Sequence, residues 1–195
     1  MRALKLKVIL CCALLALVAP VRASSATLAK GGQGAALGGE IVLMETNGKA
    51  FRLSSQRGKV VLIYFGYTSC PDVCPTDMLQ FRDVLSLLGE RAKRVQPVFI
   101  SLDPERDTPQ HLADYAAAFS PAILPLTGSE AQLHRVAKTY GTQFHYIGRT
   151  VGSKSYTVDH TANLYVVDAT GKLVRIIPYG TPTVDLVRAI TPLIK

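Results

Sequence analysis

From Lys59 to Tyr67 the sequence runs KVVLIYFGY, a continuous apolar stretch rich in β-branched and aromatic residues. A half-exposed strand would alternate apolar with polar; a run without alternation reads as a strand buried on both faces. Whatever else the chain does, this strand occupies the middle of a layered fold. The next residues, TSCPDVCPTDM, place Cys70 and Cys74 four positions apart, each followed by proline. Beyond them Met78, Phe81, Leu85 and Leu88 recur at helical spacing, and Pro75 suits the first helical position. A buried strand thus feeds a helix through a turn that holds two cysteines.

Further elements extend the pattern. EIVLMETNGKAFRLS gives two β-prone runs around Asn47-Gly48, a hairpin signal. VQPVFISLD, Val95 to Asp103, is a second buried strand, and Thr108-Pro109 caps a helix running to about Phe119. ILPLTG is a short strand, and Ser129-Glu130 opens a helix closed by Gly141. A polar, glycine-bearing loop, IGRTVGSKSYTVDH, leads into TANLYVVDATGKLVRIIPYG, two strands joined at Asp168–Gly171. A last helix starts near Pro182, and Pro192 frays its end. The order is hairpin, β-α-β-α, then β-β-α. Two buried strands joined by a helix imply a parallel unit, and the terminal hairpin adds antiparallel strands. This α/β arrangement, a mixed central sheet flanked by helices with an N-terminal β-hairpin, resembles the thioredoxin-like fold.

The chain starts MRALKLKVILCCALLALVAPVRASSA. Arg2, Lys5 and Lys7 precede an apolar run from Val8 to Val21, with small residues following, which reads as an export signal over residues 1–23. The run is shorter than the ~20 residues of a spanning helix, so cleavage near Ala23 or Ala26 is the preferred reading and a retained short anchor the alternative. Cys11 and Cys12 lie inside it as apolar filler. Residues 24–39, small and Gly-rich, read as a tether, and residues 40–195 as one domain. Removing the basic leader lowers the net charge from +8 to +4, with 18 basic against 14 acidic side chains. No basic cluster interleaves with aromatics, so nucleic acid is not an expected partner.

In the exported chain only Cys70 and Cys74 remain. So small a loop gains little from a disulfide, which favours reactive or metal-binding thiols over a staple. Pro75 argues against a regular helix through the motif, so the helix is predicted to begin there, with both sulfurs near its N-terminus. That end favours thiolate, while Asp72 between the cysteines opposes it. Spacing alone does not separate redox work from metal binding. Thiolates select Cu(I), zinc or iron–sulfur, and a mononuclear site needs a further ligand. His111 and His134 read as solvated helix residues, and His145 as a strand surface residue. His160 ends the polar loop, follows Asp159, and in a thioredoxin-like sheet faces the cysteine turn. Its alternative reading is a turn histidine capped by Asp159; beside the cysteine pair, a ligand role is preferred.

Taken together, YFGYTSCPDVCPTDM, SLDPERDTP and VDHTANLYVVD resemble the Sco/SenC family, copper-binding thioredoxin-like proteins of cytochrome c oxidase assembly. The three motifs occur in the family's order from Glu40 onward. The resemblance implies a copper site, Cu(I) or Cu(II), with Cys70 and Cys74 as thiolate ligands and His160 as the imidazole ligand. Asp103 and Asp107 match acidic positions to which the residues alone give only a loop-ordering or helix-start role. Asp159 is one candidate to orient the imidazole, and another group is the alternative. The implied partners are the copper-receiving subunit of cytochrome c oxidase, a copper donor and a thiol reductant. The implied location is a bacterial periplasm, with an inner-membrane tether if the anchor is retained. A thiol–disulfide reductase using Cys70 and Cys74 as a redox pair is the competing reading. A peroxidase is disfavoured because Pro71 stands where such sites carry Thr or Ser, and zinc would seek a fourth ligand.

Overall fold

The computed structural model describes residues 37–195. The export signal, Cys11 and Cys12 and most of the predicted tether lie outside these residues. The end of that tether is bound to the domain, since Gly38 N–H donates to the Thr139 carbonyl at 2.9 Å. Among the described residues no helix is long and apolar enough to cross a membrane.

A seven-stranded sheet has the order β2-β1-β5-β4-β3-β8-β9. Its strands are β1 (Val42–Glu45), β2 (Ala50–Arg52), β3 (Val60–Gly66), β4 (Val95–Ser101), β5 (Leu124–Thr127), β8 (Leu164–Val167) and β9 (Leu173–Ile177). The predicted central strand is β3, and every residue of it is buried. β3, β4 and β5 run parallel, while β1, β8 and β9 join antiparallel. Helical crossovers permit the parallel neighbours β3, β4 and β5, and tight hairpins make β1–β2 and β8–β9 antiparallel, while β1 and β8 join β5 and β3 antiparallel over long connections.

Four helices complete the domain: α1 (Val73–Leu88), α2 (Pro109–Phe119), α3 (Glu130–Tyr140) and α4 (Thr183–Ile190). Adjacent residues of β3 point to opposite faces. Tyr64 meets α1, its hydroxyl 3.6 Å from the Cys74 sulfur, whereas Phe65 meets α3 through Tyr140 at a ring separation of 6.1 Å. Helices therefore cover both faces, as the unbroken apolar run required. Burying a side chain such as Phe65 or Ile63 contributes ~1.5–3 kcal/mol each.

Local signals explain the helix ends. Thr108 accepts the His111 amide at the start of α2, and Ser129 forms a reciprocal capping box with Gln132 at α3. Gly141 closes α3 in the left-handed region, φ +74°. Two sequence expectations need correction. α1 begins at Val73, not Pro75. First-turn amides have no intrahelical acceptor, so Pro75 forfeits no bond there, and Pro71, whose carbonyl its ring would strike, lies outside the helix. The stretch read as a polar loop is also partly ordered. β6 (Phe144–Ile147) and β7 (Thr157–His160) form a separate two-stranded antiparallel ribbon, with Phe144 opposite His160.

Candidate metal centre

Cys70 stands in the turn after β3, where its amide donates to the Tyr67 carbonyl at 3.3 Å. Cys74 is the second residue of α1 and His160 the last of β7. Three separate parts of the fold thus deliver one ligand atom each, and these atoms lie within 4.8 Å of one another. The Cys74 sulfur and the His160 Nε2 are 3.5 Å apart. Donors ~2.0–2.3 Å from a shared ion stand ~3.3–4.5 Å from one another, so a set within 4.8 Å closes on a single ion with a shift of a few tenths of an ångström. Both cysteines are free thiols.

His160 is held in place by the Thr161 carbonyl and not by Asp159. Its Nδ1 faces the Thr161 carbonyl at 3.2 Å, so Nδ1 carries the proton and Nε2 points its lone pair toward Cys74. Asp159 is exposed on the opposite side of the strand and does not orient the ring. The rings of Tyr64 and Tyr67 each meet the imidazole edge-on at 6.1 Å. Burial depresses the His160 pKa and keeps the ring neutral, the form that binds metals.

Cys74 departs from expectation. Its position in the first turn favours thiolate, but it is fully buried, and burial pushes its thiol up to about 12 against a weaker opposing effect of the Tyr67 backbone and the Tyr64 hydroxyl. A soft cation offsets that cost by replacing the thiol proton, so metal uptake and proton release are coupled. Cys70, 8% exposed, is the cysteine nearer solvent. The donor set of two sulfurs and one neutral imidazole suits Cu(I), or Cu(II) with added oxygen or nitrogen donors.

Several residues of this region escaped the sequence reading. Gly66 is one: a Cβ there would stand 2.9 Å from both the Cys74 sulfur and a Phe99 ring carbon. Asp77, one turn after Cys74, is buried with one carboxyl oxygen unpartnered, and burial raises its pKa to about 6. Only a polar residue at an otherwise apolar helical position hinted at it. Asp103 and Asp107 are buried, and each ties loops together. Asp103 accepts from Arg106 and from the Tyr156 hydroxyl, Asp107 from Thr68 and Ser101. His111 is exposed but bonded, its Nε2 2.9 Å from the Thr68 hydroxyl. His134 stacks on Phe144 at 4.2 Å, and His145 lies exposed on β6; neither joins the cysteine–histidine group.

Comparison with known proteins bears on what this arrangement is for. The family model described as SCO1/SenC matches residues 29–195. A SCO2-like protein of Rickettsia felis is 35% identical over 139 residues, covering 71% of this chain and 68% of the relative. The copper-bound ScoI of Bradyrhizobium japonicum superposes with a TM-score of 0.73 at 36% identity, over 81% of this chain and 99% of that one. Copper-bound yeast Sco1 does so with a TM-score of 0.74 at 32% identity, over 80% and 87%.

Proposed function

The chain belongs to the SCO1/SenC family, and from that premise we propose that it carries copper on Cys70, Cys74 and His160 and delivers it to the copper centre of cytochrome c oxidase. The observation that supports this most is the convergence of two sulfurs and a neutral imidazole within 4.8 Å, the sulfurs from one strand-to-helix turn and the imidazole from the end of β7, 86 residues beyond Cys74. Relatives of matching fold bind copper, and Sco proteins are cytochrome c oxidase assembly proteins. Copper is cargo here. The three donors bind it, and ligand exchange with the receiving subunit removes it. Because Cys70 is the more exposed of the two cysteines, an incoming donor reaches it first. The N-terminal sequence read as an export signal supports an exchange outside the cytoplasm, in a bacterial periplasm.

Oxidation of the two thiols to a disulfide removes both sulfur donors, so loading requires a reductant. The same pair supports a second reading, in which the protein reduces the recipient's cysteines. His160→Ala separates the two. A copper carrier loses metal transfer to the recipient subunit while its thiols still titrate with a disulfide reagent. Unchanged copper transfer by that variant would overturn the carrier assignment, and full maturation of the recipient despite lost copper binding would select the reductase.

A further inference from the structure

Cys70 belongs to no helix or strand, so its sulfur is only as well placed as the arc Gly66–Cys70. That arc is tied to the segment following β4. Leu102 N–H donates to the Gly66 carbonyl at 2.7 Å. Asp107, 1% exposed, grips Thr68 with both carboxyl oxygens: Oδ2 accepts the Thr68 amide at 3.1 Å and Oδ1 accepts the Thr68 hydroxyl at 2.5 Å. Ser101 Oγ donates to the same Oδ2 at 2.5 Å and accepts the Asp103 amide at 3.1 Å, which fixes the carboxylate from behind. The Thr68 hydroxyl has given its one proton to Asp107, so His111 Nε2, 2.9 Å away, is the donor in that contact.

We propose that Thr68, Asp107 and His111 form a clamp that positions the Cys70 sulfur for copper, a role that rests on the copper-carrier reading above. Only Ser69 separates Thr68 from Cys70. The other sulfur rides on α1 and owes nothing to the clamp, so the sulfur–sulfur separation is set by two independent anchors. With the clamp intact, the loop is ordered before the metal arrives. Without it, each binding event must also order the loop, which lowers affinity. The clamp residues lie outside the group formed by Cys70, Cys74 and His160 and act through Cys70 alone.

The test is Cu(I) affinity of the reduced protein, read by competition with a chelator, alongside the urea midpoint. Thr68→Val keeps the shape and removes the hydroxyl; each binding event must then order the loop, and about tenfold weaker binding is expected. Thr68→Ser, which restores the hydroxyl, is expected to bind within about twofold of the parent. Thr142→Val breaks another buried hydroxyl bond, to Tyr165 at 2.7 Å, and is expected to lower the urea midpoint and leave affinity unchanged. His111→Ala alters only the exposed end of the clamp, keeps the core intact, and is expected to weaken binding about threefold. Parent-like affinity in Thr68→Val and His111→Ala, or an equal loss in Thr142→Val, would overturn the clamp. Cys70→Ser marks the underlying reading: retained binding there overturns the copper site itself, whereas lost binding there with parent-like Thr68→Val overturns the clamp alone.

Discussion

The guanidinium carbon of Arg106 lies 3.8 Å from the centre of the Tyr156 ring, and Nη1 of the same arginine donates to the Tyr156 carbonyl at 2.7 Å. Arg106 also donates to Asp103 through Nε at 2.5 Å, and the Tyr156 hydroxyl donates to the other Asp103 oxygen at 2.6 Å. One arginine therefore joins the end of β4 to the start of β7, the strand that ends in His160. Arg106→Met leaves the buried Asp103 without its cation, and removing one partner of a buried pair costs about 3–5 kcal/mol. Urea unfolding is expected to show a loss of that size, and adding Asp103→Asn is expected to restore part of it. A loss below about 1 kcal/mol, the value of an exposed pair, contradicts this role.

Gly66→Ala tests the close approach of β3 to Cys74. The added methyl meets the Cys74 sulfur and the Phe99 ring at 2.9 Å, and Tyr64 at 3.0 Å. Overpacking of this kind costs about 1–3 kcal/mol. Since the sulfur is among the atoms displaced, copper affinity is expected to fall with stability, measured by thermal unfolding and chelator competition on one preparation.

Asp77 gives the fold a pH dependence of unusual sign. Its folded pKa of about 6 lies above the unfolded carboxyl value, so the folded state holds its proton more tightly. That contribution is fully present below about 4 and is lost as pH rises through about 6, by linkage. Asp77→Asn is expected to be about 1–3 kcal/mol more stable than the parent at pH 7.5 and nearly equal to it at pH 4. His160, buried and neutral, works the other way, losing stability as pH falls below its ordinary value of about 6.5. The difference between parent and variant isolates Asp77, and a parent that outlasts Asp77→Asn at pH 7.5 contradicts the assignment.

The sequence patterns that were legible are those carried by local physics. β3 announced itself because burial on both faces abolishes alternation, and α2 and α3 because Thr108, Ser129 and Gly141 are terminus residues. The alternation around His145 pointed to a strand at β6, but β7 and its pairing with β6 were hidden, since a long polar segment separates the two strands and Gly148 and Gly152 suggested only a loop. At the metal centre, two cysteines and a histidine were visible as residue types. Gly66, Thr68 and Asp77 were not, because a close backbone approach, a long-range hydrogen bond and a buried orphan oxygen leave no periodic trace. The Thr161 carbonyl that holds His160 could not be read at all, since every residue has one.

The most direct measurement of the central claim is X-ray absorption at the copper edge of the reduced, Cu(I)-loaded protein, with His160→Ala beside it. Two sulfur scatterers and one imidazole nitrogen per copper are expected in the parent, with the nitrogen lost in the variant. An identical spectrum from both, or a parent spectrum with sulfur alone, would show that His160 is not a ligand and that the convergence of the three side chains does not serve copper.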